Sequence, residues 1–450
     1  MREKIFRFTY HYYLKLIGRD VVSYAKSHNK TQYFSPSEIK SLQLKKLKNV
    51  LINAYENVPF YTSTFKRIGF DPYNLSSLDE FNALDFYVTK DDIKASPESF
   101  ISKLIDKNDL SWHRTGGSTG TPLLFATDKL TDAGSQASIM RGLNWFGTSF
   151  GRKHVIFWAS PTFVVRTPLD NFKKYFTKLR NFLMNRVFIS NYDLNPNNML
   201  GYFHVLERFK PEYIRGMASS LYVFSKFIID NDLKFVHCKP KVIHSACEQL
   251  FDWQKEVIEQ AFGVRVANTY GLSELADIGY GAECGHIHVS DEDVYLELIP
   301  FNSNDKEIVA TQLNNMSCPL IKYKTADIAE SLETDDACGI GLQYINGLKG
   351  RAHDFIVGVD GKFIHGQFFT HLLVFESGVD KYQIVQETIN LVIVKLVVSD
   401  QFKLEKTERL LTTNIKKFLG DSVSISFEYP ELIPLTAGGK HRWIISKVER

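Results

Sequence analysis

Two stretches decide the fold: Lys241-Val242-Ile243-His244-Ser245-Ala246-Cys247-Glu248 and Val264-Arg265-Val266-Ala267-Asn268-Thr269-Tyr270-Gly271-Leu272-Ser273-Glu274. Each opens as a short β-rich apolar run and closes in a polar segment, the form of a strand delivering a loop. Phe251 to Phe262 between them is spaced as a helix, and the alternation extends upstream, with strands predicted at 154–159, 213–215, 241–245 and 264–268 and helices at 198–209, 220–231 and 251–262. Such alternation predicts parallel βαβ units, whose ligands sit where loops leave the carboxyl ends of strands. The segments 245–248 and 270–274 are therefore candidate site loops.

Working outward, Leu42, Leu47, Val50, Leu51 and Ala54 recur at helical spacing and stop before Pro59, which predicts an amphipathic helix over 38–56. Beyond residue 290 the pattern turns antiparallel, with runs at 294–299 and 307–313 around the turn-prone Asn302-Ser303-Asn304-Asp305, a small β subdomain. After Gly350-Arg351 come a hairpin across Val359-Asp360-Gly361, a helix-like 368–375, two β-branched strands between 381 and 398, a helix near 403–419 and a strand at 422–428. The expected architecture is α/β: a large domain over 1–350 with parallel sheets and a small β subdomain, joined by a short hinge near 351–354 to a mobile α+β domain over 351–450. Neither an internal repeat nor a low-complexity tract interrupts it.

The chain has 450 residues, enough for a large core, and its 54 basic and 51 acidic residues leave a formal charge of +3. Bulk electrostatics thus favour neither nucleic acid nor an acidic membrane, and a small-molecule pocket is expected. The 34 Phe and 21 Tyr are scattered without interleaved basic runs, so they read as core and not as base-stacking platforms. Five widely spaced cysteines argue against a disulfide framework and fit a reducing, cytoplasmic setting. No stretch of roughly 18 apolar residues predicts a transmembrane segment. Residues 5–22 mix aromatics with Arg7, His11, Lys15 and Arg19, as a docked helix would, with peripheral membrane or pathway-enzyme contact as the alternative.

The densest chemical signal is Thr115-Gly116-Gly117-Ser118-Thr119-Gly120-Thr121-Pro122. Three glycines let the backbone approach an anion, and the hydroxyls and amides supply donors for phosphate oxygens. It lacks the Gly-Lys-Ser/Thr ending of a Walker loop, which disfavours an ordinary P-loop NTPase. The alternative reading of this composition is a plain turn between strands.

From this loop on, the chain resembles the adenylate-forming superfamily, in its branch of phenylacetate-CoA ligases, CapK and coenzyme F390 synthetases. The resemblance runs from about 50 to 450. It begins at Ala54-Tyr55-Glu56-Asn57-Val58-Pro59-Phe60-Tyr61 and passes through Leu78-Asp79-Glu80-Phe81 and Thr89-Lys90-Asp91-Asp92, segments read as structural. It implies that Arg215, Gly216 and Ser219 line the carboxylate pocket. The backbone of Ala246, Cys247 and Glu248 would hold adenine. In Tyr270-Gly271-Leu272-Ser273-Glu274 the tyrosine would stack on adenine, the Ser273 hydroxyl meet the α-phosphate and Glu274 bind Mg²⁺, roles that suit an aromatic face, a donor and a hard carboxylate. Without the resemblance, Ser273 reads as a helix cap with Glu274 in the first turn.

Three further segments complete the pattern, two of them with departures. Tyr323-Lys324-Thr325-Ala326-Asp327 is similar to the ribose-binding motif, Asp327 accepting the two hydroxyls, but Ala326 stands where the family has glycine. Gly350-Arg351 matches the hinge, with Arg351 reaching ribose or phosphate, while His353 replaces the usual hinge carboxylate. Leu435-Thr436-Ala437-Gly438-Gly439-Lys440 resembles the loop that delivers the adenylating lysine, Lys440, whose ammonium would offset charge at the α-phosphate. Leu123 stands where many members carry a lysine after the phosphate loop.

The resemblance implies ATP and Mg²⁺ as cofactors and an acyl-adenylate as intermediate, passed to a thiol or amine, with coenzyme A among the candidate acceptors and surface-polysaccharide assembly among the settings. The alternatives are a nucleotidyltransferase that leaves AMP on its product and a non-catalytic nucleotide-binding relative. Without Gly-x-Ser-x-Gly, a serine hydrolase lacks its nucleophile elbow. Cys284, His286 and His288, with Cys247, Cys318 or Cys338, are candidate zinc ligands, but Cys-x-His-x-His is not a paired zinc spacing and structural zinc is not expected.

Overall fold

The structure is a computed structural model that describes residues 18–106, 110–114, 123–158, 178–190, 194, 196–301, 305–334, 337–351, 355–359, 363–365, 369, 372–373, 376–435 and 441–448. The phosphate loop at 115–122, the hinge at 352–354, the Lys440 loop at 436–440 and the N-terminal aromatic segment up to residue 17 lie outside the described residues.

The described chain forms two compact units, one of residues 1–325 and 329–347, the other of residues 326–328 and 348–450. At the centre of the first is a nine-stranded mixed sheet. Five strands run parallel, in the order Arg186–Ser190, His154–Trp158, Tyr213–Gly216, Val242–Ser245, Val266–Leu272. The sheet continues antiparallel through Ala276–Gly281, Ile287–Val289, Tyr344–Asn346 and Ser331–Glu333. The parallel sheet expected from the alternation is therefore one half of a larger mixed one.

Both faces of the parallel half are buried, as its near-continuous apolar strands require. Val155, Phe157, Ile214, Ile243 and Val266 point to one face and pack on Phe203 and Leu206 of helix Pro196–Phe209, Leu221 and Phe224 of helix Ala218–Asp230, and Ile258 and Phe262 of helix Asp252–Phe262. Alternate residues Tyr213, Val242 and Ala267 take the other face, against Leu143 and Phe146 at the end of helix Lys129–Trp145. That helix is built on small residues, Ala133, Gly134, Ala137, Ser138 and Gly142, so it sits close to the sheet: a Cβ on Gly142 would come 2.8 Å from the Tyr280 ring.

The predicted helix over 38–56 spans Pro36–Asn57, opened by proline in the first turn and by a capping box between Ser35 and Glu38. With helices Val21–Thr31 and Lys129–Trp145 it closes on an acidic triplet, Asp291-Glu292-Asp293, the first two buried and the third nearly so. Gln43 donates to Asp291 at 3.1 Å, Arg141 and Thr31 hold Glu292, the former at 2.6 Å, and Ser138 donates to Asp293 at 3.1 Å with His28 3.3 Å away. Each of the three carboxylates thus has at least one partner, while Glu292 Oε2 has no hydrogen-bond partner among the described residues.

The small β subdomain contains strands Val294–Pro300 and Lys306–Gln312, paired antiparallel from Val294↔Gln312 to Pro300↔Lys306. Strand Tyr323–Ala329 follows in the same sheet. In the second unit, hairpin Phe355–Val357/Phe363–His365 precedes antiparallel strands Val379–Thr388 and Leu391–Val398. Ser424–Glu428 and Ile444–Ser446 flank these two in parallel. Helix Leu404–Leu419 buries Leu411, Ile415 and Leu419 among Ile384, Val392, Val394 and Leu396.

Candidate active site

The residue pattern predicts a loop over Tyr270 to Glu274. Instead Val266–Leu272 is one strand, and Tyr270 and Gly271 pair with Gly279 and Asp277 across a tight hairpin. A Cβ on Gly271 would lie 2.7 Å from the Ala276 carbonyl oxygen, so glycine is required there for the two backbones to approach. Tyr270 is buried and already fixed on the sheet, Ser273 is exposed at the turn, and Glu274 turns inward to 3 % exposure.

Glu274 is the best-anchored of the predicted residues. Tyr323 donates to its Oε1 at 2.8 Å, and the Lys90 ammonium stands 3.6 Å from the same oxygen. Its backbone carbonyl accepts from Gln312 Nε2 at 3.2 Å. Lys90 belongs to a segment that the sequence presents as structural; it opens helix Lys90–Ala95, whose capping box of Thr89 and Asp92 fixes the helix start. No local pattern marks a lysine at a helix start as a partner of a glutamate 184 residues later (274 − 90). A cavity of about 20 Å³ against Glu274 is lined by Trp112, Leu124 and Phe125, so the hairpin Ser111–Arg114/Leu124–Thr127 that carries the phosphate loop ends beside this carboxylate.

The second candidate loop joins the same strand. Thr269 Oγ1 donates to the Ser245 carbonyl at 2.9 Å, and the Ala246 amide donates to the Gly216 carbonyl at 2.9 Å. Ala246 is buried and Cys247 exposed. Glu248 Oε2 accepts from the Ser219 amide at 2.8 Å, in the first turn of helix Ala218–Asp230. This carboxylate therefore caps a helix that has no side-chain cap of its own. Gly216 is a close-packing position, where a Cβ would meet Phe157 at 2.9 Å. Arg215 pairs with Asp277 at 3.4 Å and stands over the Trp158 ring.

In the second unit Asp327 is buried and lies opposite Arg351 in register. Ala326, in the place of the family's glycine, adopts φ +61°, so the backbone keeps the left-handed form although the residue has a Cβ. Cys247 at φ +68° and Ala276 at φ +64° do the same. Two of the predicted nucleotide segments, 245–248 and 323–327, and the hairpin turn just after a third thus hold a non-glycine residue in a conformation that costs about 1–2 kcal/mol.

Glu274 suits Mg²⁺ as a ligand: it is a hard carboxylate, both its protein contacts fall on Oε1, and among the described residues none bonds Oε2. A second candidate metal cluster, disfavoured by its linear spacing, is nevertheless assembled by the fold. Cys284, His288 and Cys338 bring their ligand atoms within 4.8 Å of one another, with Cys284 Sγ 3.4 Å and Cys338 Sγ 3.5 Å from His288 Nε2. His288 Nδ1 lies 3.3 Å from the Leu342 carbonyl, which orients the ring with Nε2 toward the thiols. His286 instead stacks on Tyr344 at 4.0 Å. The ligand set comes from two segments 50 residues apart, which linear spacing does not reveal.

Residues 356–447 match the CapK C-terminal domain family. The chain is 28% identical to Protein CapK of Staphylococcus aureus over 367 residues, 80% of this chain and 79% of that one. It is 21% identical to the phenylacetate-coenzyme A ligase of Thermus thermophilus, covering 91% and 96% of the two chains. Among solved structures, a 2-hydroxyisobutyryl-CoA ligase in its postadenylation state superposes with a TM-score of 0.70 at 19% identity, over 93% of this chain and 92% of that one.

Proposed function

From this chain's place among the homologues of CapK and the phenylacetate-coenzyme A ligases, in the adenylate-forming superfamily, we propose that it is an AMP-forming ligase. It would activate a carboxylic acid with ATP as an acyl-adenylate and transfer the acyl group to a thiol or amine, coenzyme A being the thiol that the ligase homologues favour. The observation that carries this reading is Glu274, a buried carboxylate held by Tyr323 and Lys90 beside the strands that flank the phosphate loop.

In this mechanism Glu274 would hold Mg²⁺, which would supply charge neutralisation at the triphosphate. The amides and hydroxyls of Thr115, Gly116, Gly117, Ser118, Thr119 and Gly120 bind phosphate oxygens. Tyr270 and the backbone at 246–248 bind adenine, and Asp327 and Arg351 bind ribose. Ser273 meets the α-phosphate, and Lys440, carried by the C-terminal domain, offsets the charge that develops there as the substrate carboxylate attacks and pyrophosphate leaves. Lys90 keeps Glu274 paired and oriented before the nucleotide arrives. The five cysteines, all free thiols, support a cytoplasmic setting, and the kinship with CapK favours an acceptor in surface-polysaccharide assembly.

Carboxylate-dependent ATP–pyrophosphate exchange, followed by mass spectrometry of products with and without coenzyme A or amines, tests the proposal. Exchange should depend on an acid and fall at least about 100-fold in Glu274→Gln and in Lys440→Ala. Full exchange by Lys440→Ala would remove that lysine from the mechanism, and products that retain AMP would make the protein a nucleotidyltransferase.

A further inference from the structure

The face of the sheet under helix Lys129–Trp145 carries a polar group that the mechanism above does not use. Ile214 and Ile243 point to the helical core on the other face, so the pleat turns their neighbours Arg215 and His244, directly paired across adjacent strands, toward helix 129–145. Tyr280 joins them two strands on, its ring 6.2 Å from His244 and in contact with Gly142 of the helix. Asp277 closes the group, with Arg215 at 3.4 Å and Ser135 donating to it at 2.8 Å. Burial and the nearby Asp277 carboxylate hold the Tyr280 phenol neutral.

His244 and Tyr280 are each 3 % exposed, yet neither ring nitrogen of His244 nor Arg215 Nε has a hydrogen-bond partner of good geometry among the described residues, and the Tyr280 hydroxyl has only the Asp277 carboxylate near it. Burying this many unpaired polar atoms in one place is costly unless something bonds them. The group is reachable, since Arg215 keeps 25% of its side chain accessible and Asp277 20%. It adjoins the adenylation residues, because Asp277 lies opposite Gly271 in the hairpin register.

The chemistry of the group narrows what it can bind. The Arg215 guanidinium and the Asp277 carboxylate cancel in charge, which disfavours a second carboxylate on the ligand. A neutral imidazole and a phenol can each donate or accept. Balanced donors and acceptors without net charge match hydroxyl groups, which also do both. We infer that the acid activated by this chain bears hydroxyl groups on its carbon skeleton, bonded by Arg215, His244, Tyr280 and Asp277, and is not a bare aryl or alkyl acid. This rests on the carboxylate-activating function proposed above.

The test is ATP–pyrophosphate exchange with matched acids: gluconate against hexanoate, quinate against cyclohexanecarboxylate, mandelate against phenylacetate. The hydroxylated member of at least one pair should exceed its partner in kcat/KM by roughly 10,000-fold, as expected where buried polar groups lose their partners. Tyr280→Phe should cut that ratio about tenfold or more through KM while leaving exchange with the deoxygenated partner unchanged. Equal or better exchange with the deoxygenated acids, or a ratio unmoved by both Tyr280→Phe and His244→Leu, overturns the inference and leaves the ligase reading standing. No exchange with any acid overturns the ligase reading, and this inference with it.

Discussion

The Tyr323 hydroxyl lies 2.8 Å from Glu274 Oε1, so the first residue of the Tyr323–Asp327 segment holds the acid of the Tyr270–Glu274 segment. Both are almost fully buried, and a hydrogen bond to a buried charged group contributes about 1.5–3 kcal/mol. Tyr323→Phe should therefore lower exchange roughly ten- to hundredfold, with a larger change in kcat than in the KM for the acid. Steady-state exchange kinetics check this, and an unchanged kcat would mean that Glu274 needs no orientation from Tyr323.

Ala326 gives a prediction of opposite sign. At φ +61° its Cβ is strained, and Ala326→Gly removes the clash while loosening the unfolded chain. The net gain should be about 0.5–1 kcal/mol in denaturant unfolding. The KM for ATP should not move, since the backbone conformation before Asp327 is already the one glycine would adopt.

Gly271→Ala should be damaging. The added methyl would meet the Ala276 carbonyl oxygen at 2.7 Å and the Asp277 Cα at 3.2 Å, both backbone atoms that cannot turn aside. The hairpin must splay, so the thermal midpoint should fall by several degrees, in line with a cost of about 1–3 kcal/mol. Exchange activity should drop with it, because Tyr270 and Glu274 flank the altered residue.

The Cys284–His288–Cys338 cluster should take up zinc. Purified under reducing conditions, the protein should carry about one equivalent by elemental analysis, with the three side chains and one further ligand completing a tetrahedral site. Chelation should lower the thermal midpoint and zinc should restore it. Cys338→Ser should abolish both effects, and a Cys247→Ser control should change neither.

Acid sensitivity should begin well above the carboxylate range. Burial pushes His154 down to about 4, against a donated bond to the Arg152 carbonyl that works the other way, and burial with Arg215 pushes His244 down to about 3. An unfolded histidine titrates near 6.5, so below that pH the unfolded state binds the extra proton and the fold loses stability, at about 2 kcal/mol per histidine by pH 5. Asp291, raised to about 7 mainly by burial, acts in the opposite sense over the same window and offsets part of the loss. His154→Gln should flatten the fall in stability between pH 6.5 and 4, as measured by urea unfolding at stepped pH.

Apolar runs with helical segments between them are readable because buried parallel strands must be continuously hydrophobic; the strands at 154–158, 213–216 and 242–245 lie within a residue of their expected limits. Two elements escape such a reading. Arg186–Ser190 opens on an arginine and offers only the short apolar run Val187-Phe188-Ile189, and Lys129–Trp145 packs through alanine, glycine and serine, which leaves no apolar stripe to read. The motifs single out Glu274, Tyr270 and Asp327, but not Lys90, Tyr323 as a partner of Glu274, or the cap that Glu248 supplies. Those roles come from residues far apart in the chain, and composition holds no trace of such pairings.

The acidic triplet at 291–293 has a consequence for how the chain comes to be folded. Gln43 and Lys46 meet partners that lie 248 and 246 residues further on, and Arg141 meets one 151 residues further on. On a ribosome adding roughly 5–20 residues per second, the N-terminal helices wait on the order of 10–50 seconds for the segment that completes them. Through that interval Gln43, Lys46 and Arg141 lack these partners, and any chain that stops short of residue 293 leaves them without them permanently. These helices are thus made long before the segment that finishes them.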